Sequence, residues 1–82
     1  MNLVEMTEYL VKNVVANPDM VTVKEFPSDN EKEIVIEVLI AEQDMGKVIG
    51  KGGKIANSLR TLVQASSYLQ DNRKVKINIE SF

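Results

Sequence analysis

The sequence predicts an α+β domain in which three helices cover one face of a three-stranded mixed sheet, in the order α-β-β-α-α-β along the chain. Three observations carry that prediction. Residues 31–41 alternate so that Ile34, Ile36, Val38 and Ile40 line one face of a strand, and residues 73–81 repeat the alternation with Val75, Ile77 and Ile79. Between these strands the apolar period changes to three and four residues. It does so on both sides of a glycine-rich break, Val48-Ile49-Gly50-Lys51-Gly52-Gly53-Lys54-Ile55.

Taken in order, Leu3, Met6, Leu10 and Val14, with Tyr9, Val11 and Val15 beside them, define a first helix whose polar face holds Glu5, Glu8 and Lys12. Asn17-Pro18-Asp19 is expected to end it, because asparagine tolerates a left-handed C-terminal position and proline cannot continue the ladder. Met20 to Phe26 reads as a strand with its register open: Val21 and Val23 compete with Met20, Thr22 and Phe26 for the inner face. Pro27-Ser28-Asp29-Asn30 is turn chemistry. Glu31 to Ala41 follows as the most apolar strand, with Val35, Glu37 and Leu39 on its second face, and apolar character on both faces places it centrally in the sheet.

A short helix from about Glu42 to Ile49 can turn Met45, Val48 and Ile49 to the core, with Asp44 near its positive end. After the glycines, Ile55, Leu59, Leu62, Val63, Ser66 and Leu69 mark an amphipathic helix of about four turns. Arg73 to Ser81 is then a half-buried strand. The short turn makes the first two strands an antiparallel hairpin. The helical crossover lays the third strand parallel to the second with right-handed connection, giving sheet order 1-2-3.

Eighty-two residues allow one domain, spanning 1–82, with a small core. The chain has no cysteine and no histidine, so a disulfide framework, a zinc site and a histidine general base are all unexpected. Asp44, Glu42, Ser66 and Ser67 are the groups left for catalysis, and neither serine has a base beside it. The expectation is a binding protein with no cofactor, not an enzyme. No apolar run approaches the ~20 residues that span a bilayer and no basic leader precedes the first helix, so the expected location is cytoplasmic.

The net charge of −2 hides an asymmetry. Residues 1–44 carry three Lys and ten Asp or Glu, whereas residues 45–60 carry Lys47, Lys51, Lys54 and Arg60 and no acid. The positive field therefore sits at the glycine loop. Amide groups at a helix start, surrounded by lysines, make a seat for an anion such as phosphate. Two nucleotide loops fail on spacing. A Walker A loop needs a glycine where Val48 stands and a Ser or Thr where Ile55 stands; a dinucleotide fingerprint needs a small residue at Ile55 and a strand, not a helix, before the loop.

Helix, Gly-x-x-Gly, helix within this element order resembles the KH domain, a single-stranded nucleic-acid module, and the order is that of the type II KH fold. The likeness narrows to the bacterial KhpA family. It is carried by Leu3-Val4 and Leu10-Val11, by Asn17-Pro18, by Asp44-Met45-Gly46-Lys47-Val48-Ile49-Gly50-Lys51, and by Ile55-Ala56 through Arg60-Thr61-Leu62-Val63. The resemblance implies that Gly50, Lys51, Gly52 and Gly53 hold phosphates of single-stranded RNA, that Lys47 and Lys54 add charge without reading sequence, and that Ile49 and Ile55 shape an apolar groove floor. About four nucleotides would lie between the helices and the sheet edge. It further implies an RNA chaperone or post-transcriptional regulator linked to cell elongation and cell-wall homeostasis, and a homodimer or a heterodimer with a larger KH protein carrying a second nucleic-acid-binding domain. The alternative is a protein-interaction module in which RNA binding is secondary. Two surfaces offer themselves for self-association: Val35 and Leu39 on the sheet face away from the helices, and Thr61, Ala65 and Tyr68 on the long helix.

Overall fold

The computed structural model describes residues 2–82. Helix α1 (Leu3–Lys12) opens with a capping box: the Glu5 N–H donates to Asn2 Oδ1 at 2.8 Å and the Asn2 N–H donates to Glu5 Oε1 at 3.2 Å. It ends earlier than the sequence suggests. The Asn13 side-chain amide donates to the Tyr9 carbonyl at 2.6 Å and its N–H to the carbonyls of Tyr9 and Leu10, so the last turn is closed there. Asn17, expected as the left-handed stop, has φ −120°; Pro18–Met20 instead forms a 3-10 turn of its own. Val14 and Val15 lie past the helix and are still half-buried.

Strands β1 (Thr22–Pro27), β2 (Glu33–Ile40) and β3 (Lys74–Ser81) form one sheet in the order β1-β2-β3. β1 and β2 are antiparallel, with Val23 opposite Val38, and β2 and β3 are parallel, with Ile36 opposite Ile77. The open register of β1 resolves to Val21 and Val23 inward, leaving Met20 and Phe26 exposed. Ile34, Ile36, Val38 and Ile40 are buried, while Val35, Glu37 and Leu39 on the far face are half-buried. Leu3 and Val11 from α1 meet this inner row from one side and Ala56, Leu59 and Val63 from the other, closing a single core.

The two helices expected around the glycines form one element, α2 (Glu42–Gln70), broken inside by non-helical torsions at Gly50, Lys51, Gly52 and Gly53. Its first arm, 42–49, and its second arm, 54–70, together make the crossover from β2 to β3. Among the described residues no helix is long and apolar enough to cross a membrane, and no group of three or more His, Cys, Asp or Glu is placed to hold a metal ion.

Candidate nucleic-acid interface

The first arm is fixed by a contact that spacing cannot reveal. Asp44 is only 3% exposed, and its carboxylate accepts from the Ala16 N–H at 2.9 Å, the Asn17 N–H at 3.1 Å and the Asn17 side-chain amide at 3.1 Å. It thus latches the segment after α1 to the start of the arm that carries the loop. The Ala16 N–H is the main cause that holds the Asp44 carboxyl below its usual value; burial opposes it, and the two Asn17 donors and the charge of Lys47 assist. Val48 is buried and Met45 half-buried beneath the arm. Ile49, expected to share that core, is 43% exposed: Val48 and Met45 fill the inner side, and Ile49 turns out beside the loop.

At the break, Gly50 has φ −66° and ψ 174°, an extended conformation open to any residue. Lys51, Gly52 and Gly53 then follow with φ of 54°, 73° and 74°, three left-handed residues in succession. Left-handed torsions cost an L side chain roughly 1–2 kcal/mol per residue, which explains glycine at 52 and 53. Crowding does not, because a Cβ at Gly52 would meet nothing within 4 Å and one at Gly53 would make only an ordinary contact with the Asn57 side chain. Gly50 has neither reason: its torsions are ordinary and the space beside it is open. Among the described residues, nothing in the fold requires glycine at this position.

The eight predicted site residues run through the loop and its flanks, but Ile55, expected on the floor of a groove toward the sheet edge, lines with Lys54 the opposite, α1 side of the second arm, beside Leu10 and Val14. Lys47, Lys51 and Lys54 are exposed, and the ion pairs among the described residues, Lys12 with Glu8 and Arg73 with Glu25, involve none of them. Ile49 is exposed on one side of the loop, Ile55 is half-buried on the other, and Gly50, Gly52 and Gly53 lie between them. Departure from helical torsions also gives the second arm a fresh first turn, whose amides a helix cannot satisfy internally and whose dipole favours an anion.

The second arm differs from its expected pattern. Its inner row is Ala56, Leu59, Val63 and Ser67, whereas Leu62 is 50% and Leu69 89% exposed. Small residues occupy the close approaches to the core: Ala56 near the loop, and Ser67, whose hydroxyl donates to the Arg73 carbonyl at 2.7 Å. Gln64 holds the start of β3, donating to the Arg73 carbonyl at 3.0 Å and accepting from the Val75 N–H at 2.8 Å. These bonds leave a cavity of about 540 Å³ between Arg60 and the free edge of β3, lined by Lys74 and Lys76, the apolar Val75 and Ile77, and by Glu33. The charge of Arg60 was visible in the sequence; its place opposite the β3 lysines was not, because it depends on how the arm crosses the sheet.

Comparison with known proteins agrees with this geometry. The family model described as KhpA/KhpB, KH domain, matches residues 4–79. The RNA-binding protein KhpA of Caldanaerobacter subterraneus subsp. tengcongensis is 43% identical over 75 residues, covering 92% of this chain and 96% of that protein. That of Clostridium perfringens is 40% identical over 75 residues with the same coverage, and that of Thermotoga maritima is 33% identical over 75 residues, covering 92% and 95%. Among solved structures, Era in complex with MgGDPNP and a segment of 16S ribosomal RNA superposes with a TM-score of 0.67 at 19% identity, over 96% of this chain and 29% of the Era chain. A variant of Aquifex aeolicus Era gives 0.69 at the same identity, over 98% and 30%. At that identity the likeness to Era is one of fold, and this chain spans less than a third of its length. Family model, curated relatives and fold coincide over nearly every residue: the chain belongs to the KhpA/KhpB KH-domain family.

Proposed function

We propose that this chain binds single-stranded RNA, seating phosphates on Gly50, Lys51, Gly52 and Gly53 and leading the strand along the groove between the second arm and the edge of β3. One observation carries the reading: three successive left-handed residues open a helix amid three lysines that have no acidic partner among the described residues. Lys47 and Lys54 supply charge, Ile49 and Ile55 an apolar surface at the loop, and Arg60, Lys74 and Lys76 extend the positive track. The names of the KhpA relatives, RNA-binding proteins, support the same ligand. No aromatic residue lies in the loop, so base stacking adds little and affinity is modest. Equilibrium titration of a pyrimidine-rich oligonucleotide across a salt series tests it. With three or four phosphates neutralised, log K should fall with log salt at a slope of about −2 to −3. A slope near zero, or equal affinity for duplex, overturns it.

The resemblance to KhpA extends this to an RNA chaperone or post-transcriptional regulator acting in cell elongation and cell-wall homeostasis. A weak single module gains avidity from a second copy or from a larger KH protein with its own nucleic-acid-binding domain. The exposed flank of the second arm favours such pairing. Thr61, Ala65 and Tyr68 are all exposed there, whereas Val35 and Leu39 on the sheet are half-buried beside Glu37, and Lys24 and Asn78 flank Glu37 in register. Ala65→Arg should therefore convert a dimer to a monomer in sedimentation and Leu39→Lys should not; a parent that is monomeric at high concentration ends the homodimer reading.

A further inference from the structure

On the side of the second arm away from β3 lies a groove that shares only Lys54 and Ile55 with the proposed strand path. Ile55 and Leu59 form its floor, Lys54, Ser58 and Leu62 its outer rim, and Leu10 and Val14 from the end of α1 its opposite wall, enclosing about 240 Å³. Residues within the floor and within the rim are four apart, so both run along the helix axis, and from Lys54 to Leu62 the groove is about 12 Å long. Leu59 is buried, Ile55, Leu10 and Val14 are half-buried, and Leu62 stands half-exposed. The aliphatic trough is thus left open by the other described residues.

We propose that this trough takes an unstacked nucleobase of the RNA strand whose phosphate sits on the neighbouring loop, a base site on the α1 side of the seat; it rests on the RNA-binding reading above. Continuity is the first reason. Lys54 follows Gly53 directly, so the groove begins where the phosphate seat ends. Charge is the second. Among the described residues Lys54 is the only charged side chain lining the groove and no carboxylate faces it, in contrast to the β3-edge cavity with Glu33. The length is the third: about 12 Å admits one or two nucleotides adjoining a seated phosphate. The base would be held by burial against Ile55 and Leu59, with the exposed Ser58 hydroxyl available to its polar edge. A partner's helix could also lie in an aliphatic groove. This one begins at Lys54, next to the glycine loop, which favours an occupant that carries its own negative charge.

Titration of hexauridylate into protein carrying labelled Ile, Leu and Val methyl groups decides between them. The expected result is that methyls of Leu10, Val14, Ile55 and Leu62 shift on the same saturation curve as the Gly52 and Gly53 amides, while Val35 and Leu39 stay in place. Leu62→Glu, at an exposed position whose folding its amide spectrum checks, should weaken binding about tenfold, by removing apolar surface from the rim and setting a carboxylate beside the strand. Loop amides that move without the groove methyls overturn the proposal. Groove methyls that move with protein concentration in the absence of RNA assign the trough to a second copy and overturn it too. If neither set moves, the RNA-binding reading itself falls.

Discussion

At Gly50 and Gly52 the same substitution should act in opposite directions. Gly52 has φ 73°, so Gly52→Ala must hold an L side chain in a left-handed conformation and should lose about 1 kcal/mol, or roughly 4–8 °C of melting temperature in a domain this small. Gly50 has φ −66° and ψ 174° with open space beside it, so Gly50→Ala should gain about 0.5 kcal/mol by restricting the unfolded chain. Yet in the proposed binding mode Gly50→Ala should weaken RNA binding, since the added methyl would stand where a phosphate backbone is expected to approach. Denaturant melts and RNA titration of both variants measure this. Equal loss of stability in the two would contradict the torsional argument. At Ile49, 43% exposed, Ile49→Asn should leave a cooperative melt near that of the parent and reduce binding; from spacing alone it would have been expected to unfold the domain.

Among the elements, the latch between the α1–β1 connection and the first arm of α2 makes a pH-dependent prediction. The folded-state value of the Asp44 carboxyl lies below the ordinary 3.8, chiefly through the Ala16 N–H. Its contribution is therefore complete above pH 3.8 and is lost as pH falls through the lower folded value. Asp44→Asn should melt at a lower temperature than the parent at neutral pH, and the gap should close on acidification below pH 4. A gap that stays constant to the most acid condition would show that ionisation of Asp44 is not what holds the latch. Nothing in the sequence marks this bond, because its partners stand 27 and 28 residues away. β2 was legible because Ile34, Ile36, Val38 and Ile40 make an unbroken apolar row while Glu37 interrupts the other, and β3 because its apolar and polar residues alternate. β1 was not, since Met20, Val21, Thr22 and Val23 offer apolar groups on both parities. The second arm misled in part. Leu62 and Leu69 fit the helical period, but Ala56 and Ser67 take inner positions whose small size no search for large apolar residues detects. The loop itself was legible, glycines and lysines together, because both the torsions and the charge reside in contiguous residues.

Across the whole molecule the fold separates charge from core. Ten acids fall in residues 1–44, and the stretch from Met45 to Arg60 carries four cations and no acid. A net charge of −2 opposes indiscriminate binding to polyanions, so the proposed contact with RNA is assigned to the loop surface, where the local sign is reversed. That surface lies across a bend in α2, whose arms are held from below by Val48 and Ala56 and whose surroundings are tied by Asp44 and Gln64. The most direct measurement is the affinity of Lys51→Asp with Gly52→Asp for a single-stranded pyrimidine-rich RNA at low salt, beside its thermal melt. Aspartate tolerates the left-handed region better than most side chains, and both positions are exposed, so the melt should stay cooperative and fall by no more than Gly52→Ala lowers it. Two negative charges at the phosphate seat should abolish binding. A folded double variant that binds the RNA as well as the parent would place the interface elsewhere on the chain.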